Sequence, residues 1–210
     1  MSVKLPKVKL LSCQKISLKD VIDCEEFFSN FIFEENVEAE LEISSVTFDS
    51  CVFRGINFSN VKFCDVDFID CIFESCDLSN KIFDNKFLNR VSFDNCKLLG
   101  TSFVGASLKD VLFKECQTKY LNFSTSKLQN VLFKDSNLSE SSFLDAINKN
   151  LYFENVDLYR AEFVNIDLNS VDFSTSDISG VIFDFRALKG IIVDEFQCKN
   201  LVGMFGVKVK

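Results

Sequence analysis

Residues 76–115 read, in steps of five, CDLSN KIFDN KFLNR VSFDN CKLLG TSFVG ASLKD VLFKE. The third residue of each step is Leu78, Phe83, Leu88, Phe93, Leu98, Phe103, Leu108 and Phe113, an alternation of aliphatic chain and aromatic ring. The same phase runs from Phe48 to Val193. Of the thirty residues in it, seventeen are Phe and nine are Leu; Ile178 and Val193 complete the apolar set, and Thr118 and Asn148 are the two breaks. The residue two before each centre is mostly small or β-branched, as in Cys76, Val91, Cys96, Thr101, Ala106, Val111 and Cys116, with Lys81, Lys86 and Arg186 as charged exceptions. The remaining three positions are mostly polar.

A five-residue period fits neither the 3.6 of an α-helix nor the 2 of a flat strand. It requires a chain that turns a corner every five residues, and four corners close a square coil of twenty. The alternation is an independent sign of that coil, because residues ten apart then lie on opposite walls. Two walls carry Phe and two carry Leu, so every layer encloses the same side-chain volume. On this reading Phe83, Leu88, Phe93, Leu98, Phe103, Phe113, Phe133, Phe153 and Phe173 are core centres. Upstream of residue 78 all four walls carry Phe, and that end is expected to be wider or differently packed. The expected class is an all-β solenoid.

The stretches Cys76-Asp77-Leu78-Ser79-Asn80 and Ile166-Asp167-Leu168-Asn169-Ser170 resemble the pentapeptide-repeat family, whose pattern is A-(D/N)-L-x-x. The resemblance covers about 150 of 210 residues and implies a right-handed quadrilateral β-helix. The tail from Gly190 through Phe196, Leu201 and Phe205 to Val209 resembles the Qnr and MfpA branch, DNA-mimicking proteins that act on DNA gyrase. In that branch the tail is a short helix and a strand that form a homodimer. After residue 48 the chain has no clear equivalent of the two interrupting loops of the Gram-negative members, and it looks closer to the loopless, Gram-positive Qnr-like ones. The resemblance therefore implies a partner in DNA gyrase or topoisomerase IV, with modulation of the enzyme or protection from fluoroquinolones.

Read physically, residues 194–205 form a helix with Asp194 as N-cap and Cys198, Leu201, Val202 and Phe205 as an apolar stripe. Val207 and Val209 alternate with lysines as a short strand. This segment, 194–210, reads either as a cap over the open solenoid end or as a dimer contact, with Phe196, Leu201, Val202, Phe205, Val207 and Val209 as the dimerisation residues. Residues 1–24 carry five Lys and two Asp and read as an N-terminal cap. Residues 25–193 form the repeat solenoid, with a loop or irregular coil at 34–44 where Glu38 falls in the core phase.

The composition argues against catalysis. There is no His, the commonest general base and metal ligand, and the seven Gly form neither GxGxxG nor GxxxxGK[ST]. Nine Cys with no CxxC point to reduced thiols in the cytoplasm; Cys76, Cys96 and Cys116 stack at twenty-residue spacing as compact core residues. No cofactor and no metal are expected. The sequence shows no signal peptide and no membrane span. A net charge of −8 argues against direct nucleic-acid binding. The charge is uneven: residues 151–195 hold nine acids and three bases, net −6. Asp157, Glu162, Asp167, Asp172 and Asp177 each precede a centre and point outward, as a partner-binding acidic face or as a solubilising surface. Ile72, Leu112, Leu132 and Tyr152, at multiples of twenty, form an apolar outward stripe, either a contact or ordinary cross-strand packing.

Overall fold

The computed structural model describes residues 3–21, 27–203 and 206–208. It is a four-walled β-solenoid of about 8 turns. The strands Leu41–Asp49, Val61–Ile69, Phe87–Asp94, Ser107–Lys114, Lys127–Lys134 and Ile147–Glu154 are stacked in parallel. From Phe27 on, partners in the parallel ladders differ by twenty residues, as in Phe28↔Phe48, Leu108↔Leu128 and Phe113↔Phe133. Single bridges continue this register on the shorter walls, for example Asp77↔Lys97 and Ser102↔Asn122.

The corner is a backbone property. Among the described residues, every residue of positive φ except Gly206 has a number divisible by five. Each of these lies two after a centre. Asn, Asp and Gly predominate there because they tolerate the left-handed conformation at least cost. Gly190 needs its missing side chain: at φ +78° a Cβ would run into the Asn169 carboxamide one coil below.

The centres fill the interior. Phe83, Leu88, Phe93, Leu98, Phe103, Phe113, Phe133, Phe153 and Phe173 are all buried. Along one wall Phe93, Phe113 and Phe133 stack nearly parallel, at 4.9 and 4.7 Å between centroids. Phe103 and Phe123 stack on the opposite wall at 5.1 Å and meet the first column edge-on. In the early coils the rings also meet around the turn, Phe48 against Phe53 and Phe63 against Phe68 at 84° and 86°. Such edge-to-face pairs suit the aromatic quadrupole.

Two boundaries differ from the expectation. The irregular segment covers residues 34–40 only, because Leu41–Asp49 is a regular strand with Leu41 and Ile43 buried. Val37, not Glu38, is buried: the chain slips by one residue, so the carboxylate stays in water. Asn60 secures the slip by donating to the carbonyls of Val37 and Glu38. At the N-terminus, residues 10–21 close the end. Gln14–Lys15 pairs with the first coil, and Leu18 and Val21 are buried. Residues 3–9 do not cap; they lie along the flank, where the amides of Lys7 and Lys4 donate to Asp70 and Asp110.

At the C-terminus, Asp184 caps helix α1 (Phe185–Leu188) by accepting from the Ala187 amide. Helix α2 spans Glu195–Gly203. Asp194 and Gln197 cap it reciprocally, each side chain accepting the other's backbone N–H at 2.8 and 2.9 Å. Gly206, Val207 and Lys208 are not in a strand, and Val209 lies outside the described residues.

Candidate functional site

The solenoid interior is packed, so the chemistry available to a partner lies on the walls, corners and ends. The five outward carboxylates do not share one face. Asp157 and Asp177 bridge on one wall, and Glu162, Asp167 and Asp172 occupy the other three in turn. They form a girdle, because successive centres fall on successive walls. Glu162, Asp167 and Asp177 are exposed, and Asp157 and Asp172 are half-buried.

Four of these acids also shape the chain. Asp157, Asp167, Asp172 and Asp177 each accept, through Oδ1, the backbone N–H two residues on, at 2.8–2.9 Å. This is the Asx-turn that starts a corner. Asp157 also accepts from the Asn137 side chain through Oδ2. The Ser174 hydroxyl and amide hold the Asp172 carboxyl below the usual carboxylate range. Their position is thus explained in part by turn formation, while their charge remains available outside.

Helix α2 meets the last coil through Gln197, whose Nε2 donates to the carbonyls of Phe173 and Ser176. Leu201, one turn later, packs partly buried against the core. Cys198 is exposed, so the helix presents Gln197 and Leu201 to the solenoid in place of the expected Cys198-led stripe. The open coil end offers unpaired carbonyls, which an amide satisfies and a thiol satisfies poorly. Phe196 is 74% and Val207 52% exposed; Val202 is half-buried. Phe205 lies outside the described residues. Ile182 and Ile192 add exposed apolar surface in the last coils.

Ile72, Leu112, Leu132 and Tyr152 do align in one column, interrupted by Ser92. All four are half-buried, and Asp172 is one coil on from Tyr152. Nothing local signals the N-terminal arm on the adjoining corner, because its contacts with Asp70 and Asp110 join residues 63 and 106 apart.

The buried cysteines act as small donors. The thiols of Cys76, Cys96 and Cys116 donate to the carbonyls of Phe53, Phe73 and Phe93 at 3.2–3.3 Å. The neighbouring Cys96 thiol, then burial, pushes Cys76 far above the ordinary thiol range, and Cys116 does the same to Cys96. Ser136 takes over this role one coil further, its hydroxyl donating to the carbonyl of Lys134 and accepting from the amide of Cys116.

A quadrilateral coil with Phe and Leu walls, left-handed corners and Asx-turns defines a β-solenoid built of five-residue sides. Two family models match it: pentapeptide repeats, eight copies, over residues 42–80, and the pentapeptide repeat region over 66–143. The chain belongs to the pentapeptide-repeat family, whose fold is the right-handed quadrilateral β-helix.

Solved structures match the chain at low identity. A trypsin-treated variant of QnrB1, a plasmid-mediated fluoroquinolone resistance protein, is 20% identical with a TM-score of 0.45, covering 93% of this chain and 94% of that one. HetL, involved in heterocyst differentiation regulation in the cyanobacterium Nostoc, is 15% identical with a TM-score of 0.34, covering 80% and 90%. A pentapeptide repeat protein of the Arabidopsis thaliana thylakoid lumen is 20% identical with a TM-score of 0.34, covering 57% and 78%. No curated protein sequence matches the chain. Among the described residues, no helix is long and apolar enough to cross a membrane.

Proposed function

We propose that the protein acts by binding, not catalysis, and that it occupies the DNA channel of a type II topoisomerase, DNA gyrase or topoisomerase IV, as a look-alike of the duplex. One observation carries this reading: the linear charge density of the last coils. Residues 151–195 carry net −6. Two of these acids, Asp194 and Glu195, belong to the start of helix α2. The coils proper, 151–193, carry net −4. At about 4.8 Å per coil of twenty residues they rise about 10 Å, one net charge per about 2.6 Å, the same order as the about 1.7 Å of duplex DNA. Because the acids girdle all four walls, the field surrounds the rod instead of marking one side. A stiff rod of that charge suits a channel lined with basic groups.

The exposed apolar groups of the tail, Phe196 and Val207, support a homodimer through the C-terminal segment, which would place two acidic ends together. The tail pattern fits a Qnr-like or MfpA-like role of modulating the enzyme or protecting it from fluoroquinolones. The free thiols of the described cysteines suit the cytoplasm, where that partner resides. Neither direct nucleic-acid binding nor membrane association belongs to this reading.

The half-buried column Leu112, Leu132 and Tyr152 favours a second reading, a non-catalytic scaffold for a partner other than a topoisomerase. Supercoiling and decatenation assays with and without a fluoroquinolone decide. Inhibition or protection is expected. No binding, no inhibition and no protection would refute the topoisomerase reading. Asp→Asn at 157, 167, 172 and 177 with Glu162→Gln keeps the Asx-turns and removes the charge. Loss of the effect is expected; full activity of this variant favours the scaffold.

A further inference from the structure

The corner column Ser50, Asp70, Arg90, Asp110, Asn130, Asn150 and Ser170 contains two buried carboxylates, Asp70 at 6% and Asp110 at 2% exposure. The corners beyond them, Asn150 and Ser170, are exposed. Arg90 explains part of Asp70's burial, gripping both its oxygens at 2.6 and 2.5 Å. Asn130 donates to Asp110 Oδ1. The remaining cover is the arm of residues 3–9: Lys7 N–H donates to Asp70 at 2.9 Å and Lys4 N–H to Asp110 at 3.3 Å.

The spacing is matched. Asp70 and Asp110 stand two coils apart, about 9.6 Å at strand spacing. Three residues of chain reach at most about 10–11 Å, so Lys4 to Lys7 must run nearly fully extended along the rod axis, across the coils. Pro6, which has no N–H to leave unpaired, lies between the two donors. Val3, Pro6 and Val8 are half-buried while Lys4, Leu5, Lys7 and Lys9 are exposed, so the arm has an inner and an outer side. On the wall beside it, Ser92 faces outward yet is only 4% exposed. The grip on the arm is through the main chain, which any extended segment supplies, and the carboxylates favour a cationic one.

We propose that the Asp70–Arg90–Asp110 strip is a docking site for an extended, lysine-bearing peptide segment of a partner protein, filled in this structure by the chain's own residues 3–9. When the arm leaves, Asp110 loses its main-chain donor, and a partner strand of the same spacing replaces it. The site is independent of the acidic girdle and of the topoisomerase reading.

The test uses the full-length chain and a fluorescein-labelled peptide of residues 2–10, SVKLPKVKL, followed by fluorescence anisotropy. Lys4→Pro with Lys7→Pro removes both amide donors of the arm and leaves the solenoid intact. This variant is expected to bind the peptide about tenfold or more tightly than the wild-type chain, whose tethered arm competes at high effective concentration. Adding Asp110→Gly, which suits the positive φ of that corner and deletes the acceptor, is expected to abolish the gain. No binding to the proline variant, or binding indifferent to Asp110→Gly, overturns the proposal. Amide exchange in the wild-type chain is a second readout that needs no variant: protection at Lys4 and Lys7 is expected, and free-peptide rates at both overturn it.

Discussion

Phe93 and Phe113 stack with centroids 4.9 Å apart and ring planes 6° apart, one full coil from each other. The pair shows how the solenoid is held: each ring stacks on its equivalents above and below, and Phe113 also meets Phe103 and Phe123 of the opposite wall edge-on, so cohesion passes from layer to layer as nearest-neighbour terms.

Phe113→Ala therefore removes contacts with Phe93, Phe133, Phe103 and Phe123 together. The expected loss is about 3–5 kcal/mol, measured by urea unfolding. Phe113→Leu, which keeps most of the volume, is expected to cost less than half of that. A loss under about 1 kcal/mol for the alanine variant would contradict a packed interior.

Asn148 stands at a centre between Leu128 and Leu168. Its Nδ2 donates to the carbonyl of Asp167 at 2.8 Å, but its Oδ1 is buried without a partner. An unsatisfied buried acceptor costs about 1–3 kcal/mol, so Asn148→Leu is expected to stabilise the fold. A rise in Tm of about 2–4 °C is expected for a net gain of about 1 kcal/mol; a fall would show that the carboxamide contributes more than it costs.

The Asp184 carboxyl is held below its ordinary value by the backbone amides of Ala187 and Asn165. Its folded value is lower than its unfolded one. Its contribution is therefore complete above the unfolded value of about 3.9 and fades as the pH falls through the folded value. Asp184→Ala is expected to cost about 1 kcal/mol at neutral pH, and the gap from wild type should be narrower at about pH 2. Thermal melts at both pH values measure it, and a gap that persists undiminished in acid would assign the effect to packing.

Phe196→Asp with Val207→Asp is expected to turn a dimer into a monomer without loss of helix α2, because Gln197 and Leu201, not these residues, hold the helix to the solenoid. Sedimentation equilibrium gives the mass and circular dichroism the fold. A wild-type chain that stays monomeric at high concentration would remove the dimer from the proposed function.

The solenoid was legible because each decision in it is local: a centre, a small residue two before it and a turn-former two after it recur within five residues. The outward placement of the five acids was legible too; that they form a girdle and not a single face follows once residues twenty apart are placed on one wall. The slip at Val37 was not, because it depends on a charge that the regular phase would bury. The docking face of α2 was missed because the apolar stripe led to Cys198, whereas bare carbonyls at Phe173 and Ser176 selected the amide of Gln197. The arm along Asp70 and Asp110 is a pairing across more than sixty residues, and nothing in either segment alone announces it.

Gln197 has one more consequence. The carbonyls it covers belong to the terminal rung, and a bare rung of this kind is a template on which another molecule's first coil could continue the ladder. By placing a side-chain amide there, the chain occupies two acceptors of that rung, which disfavours axial addition of another molecule's coil.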